Sequence, residues 1–167
     1  MALLLLFSFA ACSVSDEPTK EINNAESENS VQTATSETDY GLNETAVFKN
    51  LKFTATEIKE SSGTDFFEPE SGKTFVGVKF TIENISNETQ TVSSLMLFSA
   101  YANDVKCDYS FSAACAFDEG TLDGDVSAGK KLVGWYAMEV PADWSKIDLE
   151  VKSEWLSGSS AKFVFTK

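Results

Sequence analysis

The sequence predicts an all-β domain over residues 40–167: an antiparallel β-sandwich of about seven strands. Three observations carry that expectation. Short runs of aromatic and β-branched residues alternate apolar with polar at period two, which places every second side chain on one face of a strand. Turn-forming pairs punctuate the runs at Ser62-Gly63, Ser71-Gly72, Asn87-Glu88, Asn103-Asp104, Asp123-Gly124, Ala128-Gly129 and Ser157-Gly158. No stretch sustains a helical period.

Taken in order, the chain opens on an apolar run from Leu3 to Ala11, broken only by Ser8. It is too short to span a bilayer, which takes about 20 apolar residues. A short apolar core ending in small residues and followed by a polar stretch has the form of a secretory signal. Phe9-Ala10-Ala11-Cys12 resembles the lipobox of bacterial lipoproteins, in which the Cys becomes the lipidated first residue of the mature chain. Met1-Ala2 departs from that pattern, because it supplies no Lys or Arg ahead of the apolar run. The other reading of this stretch is an N-terminal core strand with a buried Cys12. On the lipoprotein reading, residues 1–11 are removed and residues 12–39 form a disordered acidic tether. From Ser13 to Asp39 seven acids face one Lys, and aromatic residues are absent. Such a segment buries too little apolar surface to offset the entropy of ordering it.

The strands follow. "LKFTAT" sets Leu51, Phe53 and Ala55 against Lys52, Thr54 and Thr56. "FVGVKFTIEN" sets Val76, Val78, Phe80 and Ile82 against Gly77, Lys79, Thr81 and Glu83. "VGWYAMEVP" places Gly134, Tyr136, Met138 and Val140 on one face, and Val133, Trp135, Ala137 and Glu139 on the other. Pro141 ends that strand because it has no N–H to give a ladder. "KIDLEV" and "AKFVFTK" close the domain. "FSAACAFDEG" and "PADWSK" each allow one short helical turn. Two packed antiparallel sheets bury one face of every strand, and a small closed barrel is the competing architecture.

Composition excludes several chemistries. The net charge is −13, and the chain has no His. All 13 of its basic residues are Lys. An acidic surface disfavours nucleic acid, whose phosphates require a basic patch. It also disfavours electrostatic docking on anionic lipid. Without His there is no Ser-His-Asp or Cys-His pair and no His-rich zinc site. Without Arg there is no planar fork for gripping phosphate or carboxylate. Neither a dinucleotide-binding nor a phosphate-binding glycine motif is present. No cofactor is expected.

Three stretches, "VFKNLKFTATEIKES", "GKTFVGVKFTIENISNETQTV" and "SAGKKLVGWYAMEVP", followed by a final β pair, resemble a family of unknown function found on secreted and lipid-anchored proteins of Gram-positive bacteria. Its packing signature matches Phe75, Val76, Val78, Phe80 and Asn84, and its later segment matches Gly129, Met138, Glu139, Val140 and Pro141. The resemblance spans roughly residues 43–167. It implies an immunoglobulin-like sandwich similar to that of the mycobacterial immunoprotective extracellular antigens. The family carries no agreed catalytic residues, so the resemblance transfers none.

Four sets of residues are candidate sites. Asp118, Asp123 and Asp125, with Glu119 between them, gather oxygen ligands in one loop and are a weak Ca²⁺ candidate. The other reading is a solvated acidic loop. Tyr101, Trp135 and Trp155 are candidate contact aromatics, since Trp and Tyr anchor sugars and protein interfaces. Trp135 is either exposed on its sheet face or covered by a long loop. Trp144 and Trp155 are read otherwise as plugs for the sandwich ends. Cys107 and Cys115 are a disulfide candidate, or else two free, buried thiols acting as small hydrophobes. The sequons at Asn43, Asn84 and Asn87 are weak signals, and Asn84 and Asn87 suit a turn between strands. Together these readings predict a lipid-anchored extracytoplasmic binding or structural module rather than an enzyme. It would hold the membrane through lipid on Cys12 and meet a protein or glycan partner. The alternative is a carbohydrate-binding module or glycan-hydrolase accessory domain.

Overall fold

Residues 17–22, 39–118, 120–154 and 159–167 are described by the structure, a computed structural model. In chain order its elements are β1 (Thr19–Ile22), β2 (Asp39–Tyr40), β3 (Glu44–Val47), β4 (Leu51–Ser61), β5 (Lys73–Asn84), β6 (Gln90–Val92) and α1 (Ser94–Leu97). They continue with β7 (Phe98–Ala102), β8 (Val105–Cys107), α2 (Phe111–Ala114), β9 (Gly124–Val126), β10 (Lys131–Pro141), β11 (Lys146–Lys152) and β12 (Ser160–Thr166). One sheet has the order β1-β3-β4-β5-β10, the second β2-β12-β11-β7-β8, and β6 pairs with β9. The fold is a β-sandwich whose ladders are antiparallel, apart from the two-residue parallel pair β12–β2.

The described residues form twelve strands where about seven were expected. The long strands coincide with the alternating runs of the sequence. The additional ones, β1, β2, β3, β6, β8 and β9, are two to four residues long and too short to display a period. "PADWSK" forms a turn rather than a helix, whereas the helical turn expected in "FSAACAFDEG" is α2. The β7–β8 hairpin turns at Asn103-Asp104, both with positive φ (48° and 65°), as a two-residue hairpin turn requires.

The two sheets face each other through aromatic rings. Phe53, Phe80 and Tyr136 come from the first sheet, and Phe98 and Phe163 from the second. Phe80 meets Phe98 and Phe163 edge-on at 5.5 and 5.2 Å, while Tyr136 stacks on Phe98 at 5.2 Å. These geometries suit the ring quadrupole and add to the burial of the rings. At one end of the sandwich Trp144 is buried, with the Lys167 ammonium 5.1 Å from its ring centre. That residue plugs the end as expected.

The structure departs from the expected tether at Thr19–Ile22. These four residues pair with Glu44–Val47 as the edge strand of the first sheet. Lys20 bridges Glu44 at 2.7 Å, and Lys52 bridges Glu21 at 2.9 Å. A polar segment without an apolar face can still add to a sheet edge, because the ladder uses backbone groups. The signal segment 1–11, Cys12 and most of the tether lie outside the described residues. Among the described residues, no helix is long and apolar enough to cross a membrane.

Candidate functional site

The site is built on the outer face of the first sheet, where β4, β5 and β10 lie side by side. In β4 the alternation begins with Leu51, Phe53 and Ala55 inward. A bulge between Ala55 and Glu57 inserts Thr56, so the parity flips. After it, Ile58 packs on the core, and Glu57 and Lys59 fall on the outer face. Register then aligns Glu57 with Lys79 and Lys79 with Trp135, forming one row across three strands. The next row is Lys59, Gly77 and Ala137.

A crossover from Tyr109 to Thr121 lies over this face. It follows β10, donating from Ser110 N–H to the Ala137 carbonyl and accepting at the Gly120 carbonyl from Trp135 N–H. Two glycines allow the approach. A β-carbon at Gly77 would sit 2.9 Å from the Phe117 ring, and one at Gly134 would sit 2.6 Å from the Thr121 carbonyl oxygen. Phe117 therefore lies flat over Gly77 and stacks on Trp135, with ring centres 5.0 Å apart and planes at 25°. Phe75, Ala113 and Ala137 form a small second core beneath the crossover, with Phe67 and Phe117 packed on it.

Trp135 is thus 3% exposed, so the expectation of an exposed contact ring is corrected in favour of the covering loop. Its indole N–H is buried without a hydrogen-bond partner. Beside the ring a groove of about 170 Å³ is lined by Glu57, Lys59, Lys79, Phe117, Asp118 and Trp135. The Lys59 and Lys79 ammonium groups lie 5.5 and 5.7 Å from the Trp135 ring centre, and Lys59 also pairs with Glu57 at 2.8 Å. The arrangement sets two cations and two carboxylates around the buried, stacked Trp135–Phe117 pair.

The other candidate residues do not join it. Tyr101 is half-buried on β7 in the second sheet, paired with Asp148. Trp155 lies outside the described residues. Cys107 and Cys115 are unbridged, which corrects the disulfide candidate. Cys107 faces the main core from β8, whereas Cys115 is exposed just after α2. Burial raises the Cys107 thiol above its ordinary pKa, which makes it a poor nucleophile. The acidic loop disperses. Asp123 accepts from the Ser94 N–H and hydroxyl at 2.9 and 3.0 Å, Asp125 accepts from Thr91, and Asp118 belongs to the groove. Among the described residues, no three Asp, Glu or Cys side chains gather as metal ligands.

The family model for a domain of unknown function, DUF4352, matches residues 40–162. The chain belongs to the DUF4352 family. This match carries no link to mycobacterial antigens. Among curated proteins none matches the chain. Solved structures resemble it in fold. The ycdA protein of Bacillus subtilis, provisionally named a lipoprotein, superposes with a TM-score of 0.59 at 13% identity over 70% of this chain and 36% of that one. The chain therefore spans about a third of that protein. The yjhA protein of Bacillus subtilis gives a TM-score of 0.58 at 17% identity, over 74% of this chain and 97% of that one. A conserved hypothetical protein of Bacillus anthracis gives 0.53 at 16% identity, over 70% and 92%. At these identities the likeness is one of fold.

Proposed function

We propose that this DUF4352 protein is a lipid-anchored extracytoplasmic module that works by binding rather than by turnover. The observation that supports binding is the Trp135 groove, which sets Glu57, Lys59, Lys79 and Asp118 around a stacked aromatic pair. Anchoring is supported by the apolar run ending at Cys12. The groove's chemistry suits a partner that presents charges of both signs, such as a polar segment of another surface protein. The sugar platform has less support. Its discriminator is two coplanar aromatics exposed on one sheet, whereas the strongly exposed rings among the described residues are Phe66 in a loop and Phe111 on α2.

The test replaces Lys59 and Lys79 together by Ala, which removes both ammonium groups and leaves the core alone. Immobilised wild-type and variant chains are exposed to solubilised cell-envelope proteins, and their retained partners are compared. The expected outcome is a specific partner lost from the variant while its melting temperature stays near wild type. Identical retention by both chains would remove the groove from the binding function.

A further inference from the structure

The pairing of β1 determines which end of the sandwich an anchored chain turns away from the membrane. Six residues, 13–18, separate Cys12 from the start of β1. Seven extended steps reach at most about 25 Å. Register carries the level of Thr19 across the sheet: Thr19 faces Val47, Val47 faces Lys52, Lys52 faces Glu83, and Glu83 faces Lys131. Beyond that row lie the 48–50, 85–89 and 127–130 loops.

The opposite end is defined by one ion pair between the sheets and by contacts among the loops there. Lys167 bridges Glu60 at 2.7 Å, Ala142 N–H donates to the Gly72 carbonyl, and Asn103 accepts from Ser145 and Lys146. The 62–72 loop, the Asn103-Asp104 turn and the 142–145 turn therefore share one end. Phe66, 89% exposed, belongs to it. β10 runs ten steps from Lys131 to Pro141 between the two ends. At 3.2–3.4 Å per residue that is about 33 Å.

We propose that β1 braces the anchored domain so that the end beyond Thr19, with the 48–50, 85–89 and 127–130 loops, faces the bilayer. The Phe66 end is then held off the bilayer and presented outward. The inference rests on lipidation of Cys12. With the strands upright, touching the membrane with the Phe66 end would raise Thr19 about 33 Å above it, beyond the roughly 25 Å that the spacer spans. Without β1 the first paired residue is Asp39, and a spacer of 26 residues removes the restriction. The acidic surface offers no attraction that would tip the domain over.

The test uses the full lipidated chain in phosphatidylcholine vesicles that contain a lipid with a headgroup nitroxide. A dye is placed at Ser62→Cys or at Ser127→Cys, with Cys115→Ser removing the exposed thiol. Flotation of the vesicles reads anchoring separately. In floated protein, quenching should be several-fold stronger at position 127 than at 62. The double variant Lys20→Pro, Glu21→Pro, which breaks the β1 ladder, should bring the two positions together. Equal quenching at both positions of the floated, unbroken chain overturns the brace. Failure to float overturns the lipid reading instead. In that case slow amide exchange at 19–22 still supports a paired β1, and fast exchange rejects it.

Discussion

Asn84 is 0% exposed, yet all of its side-chain hydrogen-bonding capacity is used. Its amide donates to the Glu88 and Val126 carbonyls at 2.6 and 2.7 Å, and its oxygen accepts from the Ser86 N–H and hydroxyl. The sequon at this position thus describes a turn device that ties the end of β5 to β9. Asn84→Ala removes the donor to the buried Val126 carbonyl, while the Glu88 carbonyl keeps the Ser86 hydroxyl, and should cost about 1–3 kcal/mol in urea unfolding. Asn84→Asp sets an acceptor against two carbonyls and should cost more. Tyr136 carries the pH dependence. Burial, with Asp108 and Cys107 nearby, raises its phenol well above the ordinary value of 10.0. The unfolded chain releases that proton first, so stability holds below pH 10 and falls as pH rises above it. The slope is about 1.4 kcal/mol per pH unit for this group. Tyr40 and Tyr109 are shifted the same way, also mainly by burial. Urea midpoints measured from pH 7 to 11 should therefore fall less steeply for Tyr136→Phe, although not to zero slope.

Among the elements, the crossover over β10 has the largest consequence. β10 is the last strand of its sheet, and an open edge invites pairing with another chain. The bridges Tyr109–Met138 and Thr121–Trp135 occupy that edge at two points. Gly134→Ala would push a methyl group against backbone at Thr121, which cannot rotate away. A loss of about 1–3 kcal/mol is expected, with the crossover loosened. Gly77→Ala meets the Phe117 ring instead, so the ring should tilt off Trp135 with a smaller loss and a red shift in Trp emission. A variant with wild-type stability and emission would mean that the crossover does not rest on these glycines. The crossover and β8 also separate the thiols. In the native protein Cys115 should react quickly with a thiol reagent and Cys107 only after unfolding, while reductant leaves the melting temperature unchanged. An absence of reactive thiols after unfolding would restore the bridge.

For the whole molecule, the proposed membrane attachment rests on lipid at Cys12, since a net charge of −13 disfavours docking on anionic lipid. A single acyl chain holds only marginally, so the resemblance to bacterial lipoproteins implies more than one. Cys12→Ala should move the protein from the membrane fraction into the medium. Unchanged fractionation would show that the lipobox reading is wrong.

The long strands β4, β5, β10, β11 and β12 were legible in the sequence, because a period of two is a local property carried by each run itself. The hairpin at Asn103-Asp104 was legible for the same reason, as were the exclusions that follow from the lack of His and Arg. The candidate site was only partly legible. Trp135 could be placed on the outer face of β10, but its neighbours there depend on the Thr56 bulge, which shifts Glu57 and Lys59 into the row. Gly77 and Gly134 interrupt apolar strands, and that was the available signal that another segment approaches closely. Which segment does so could not be read locally. Phe117 reaches Gly77 across 40 residues, Asp123 reaches Ser94 across 29, and Thr19 pairs with Val47 across 28. By itself the sequence determined periodicity, turn chemistry and composition. Only the tertiary structure decided what covers Trp135, how the acids and thiols disperse, and that part of the acidic segment becomes a strand, because each depends on partners distant in the chain.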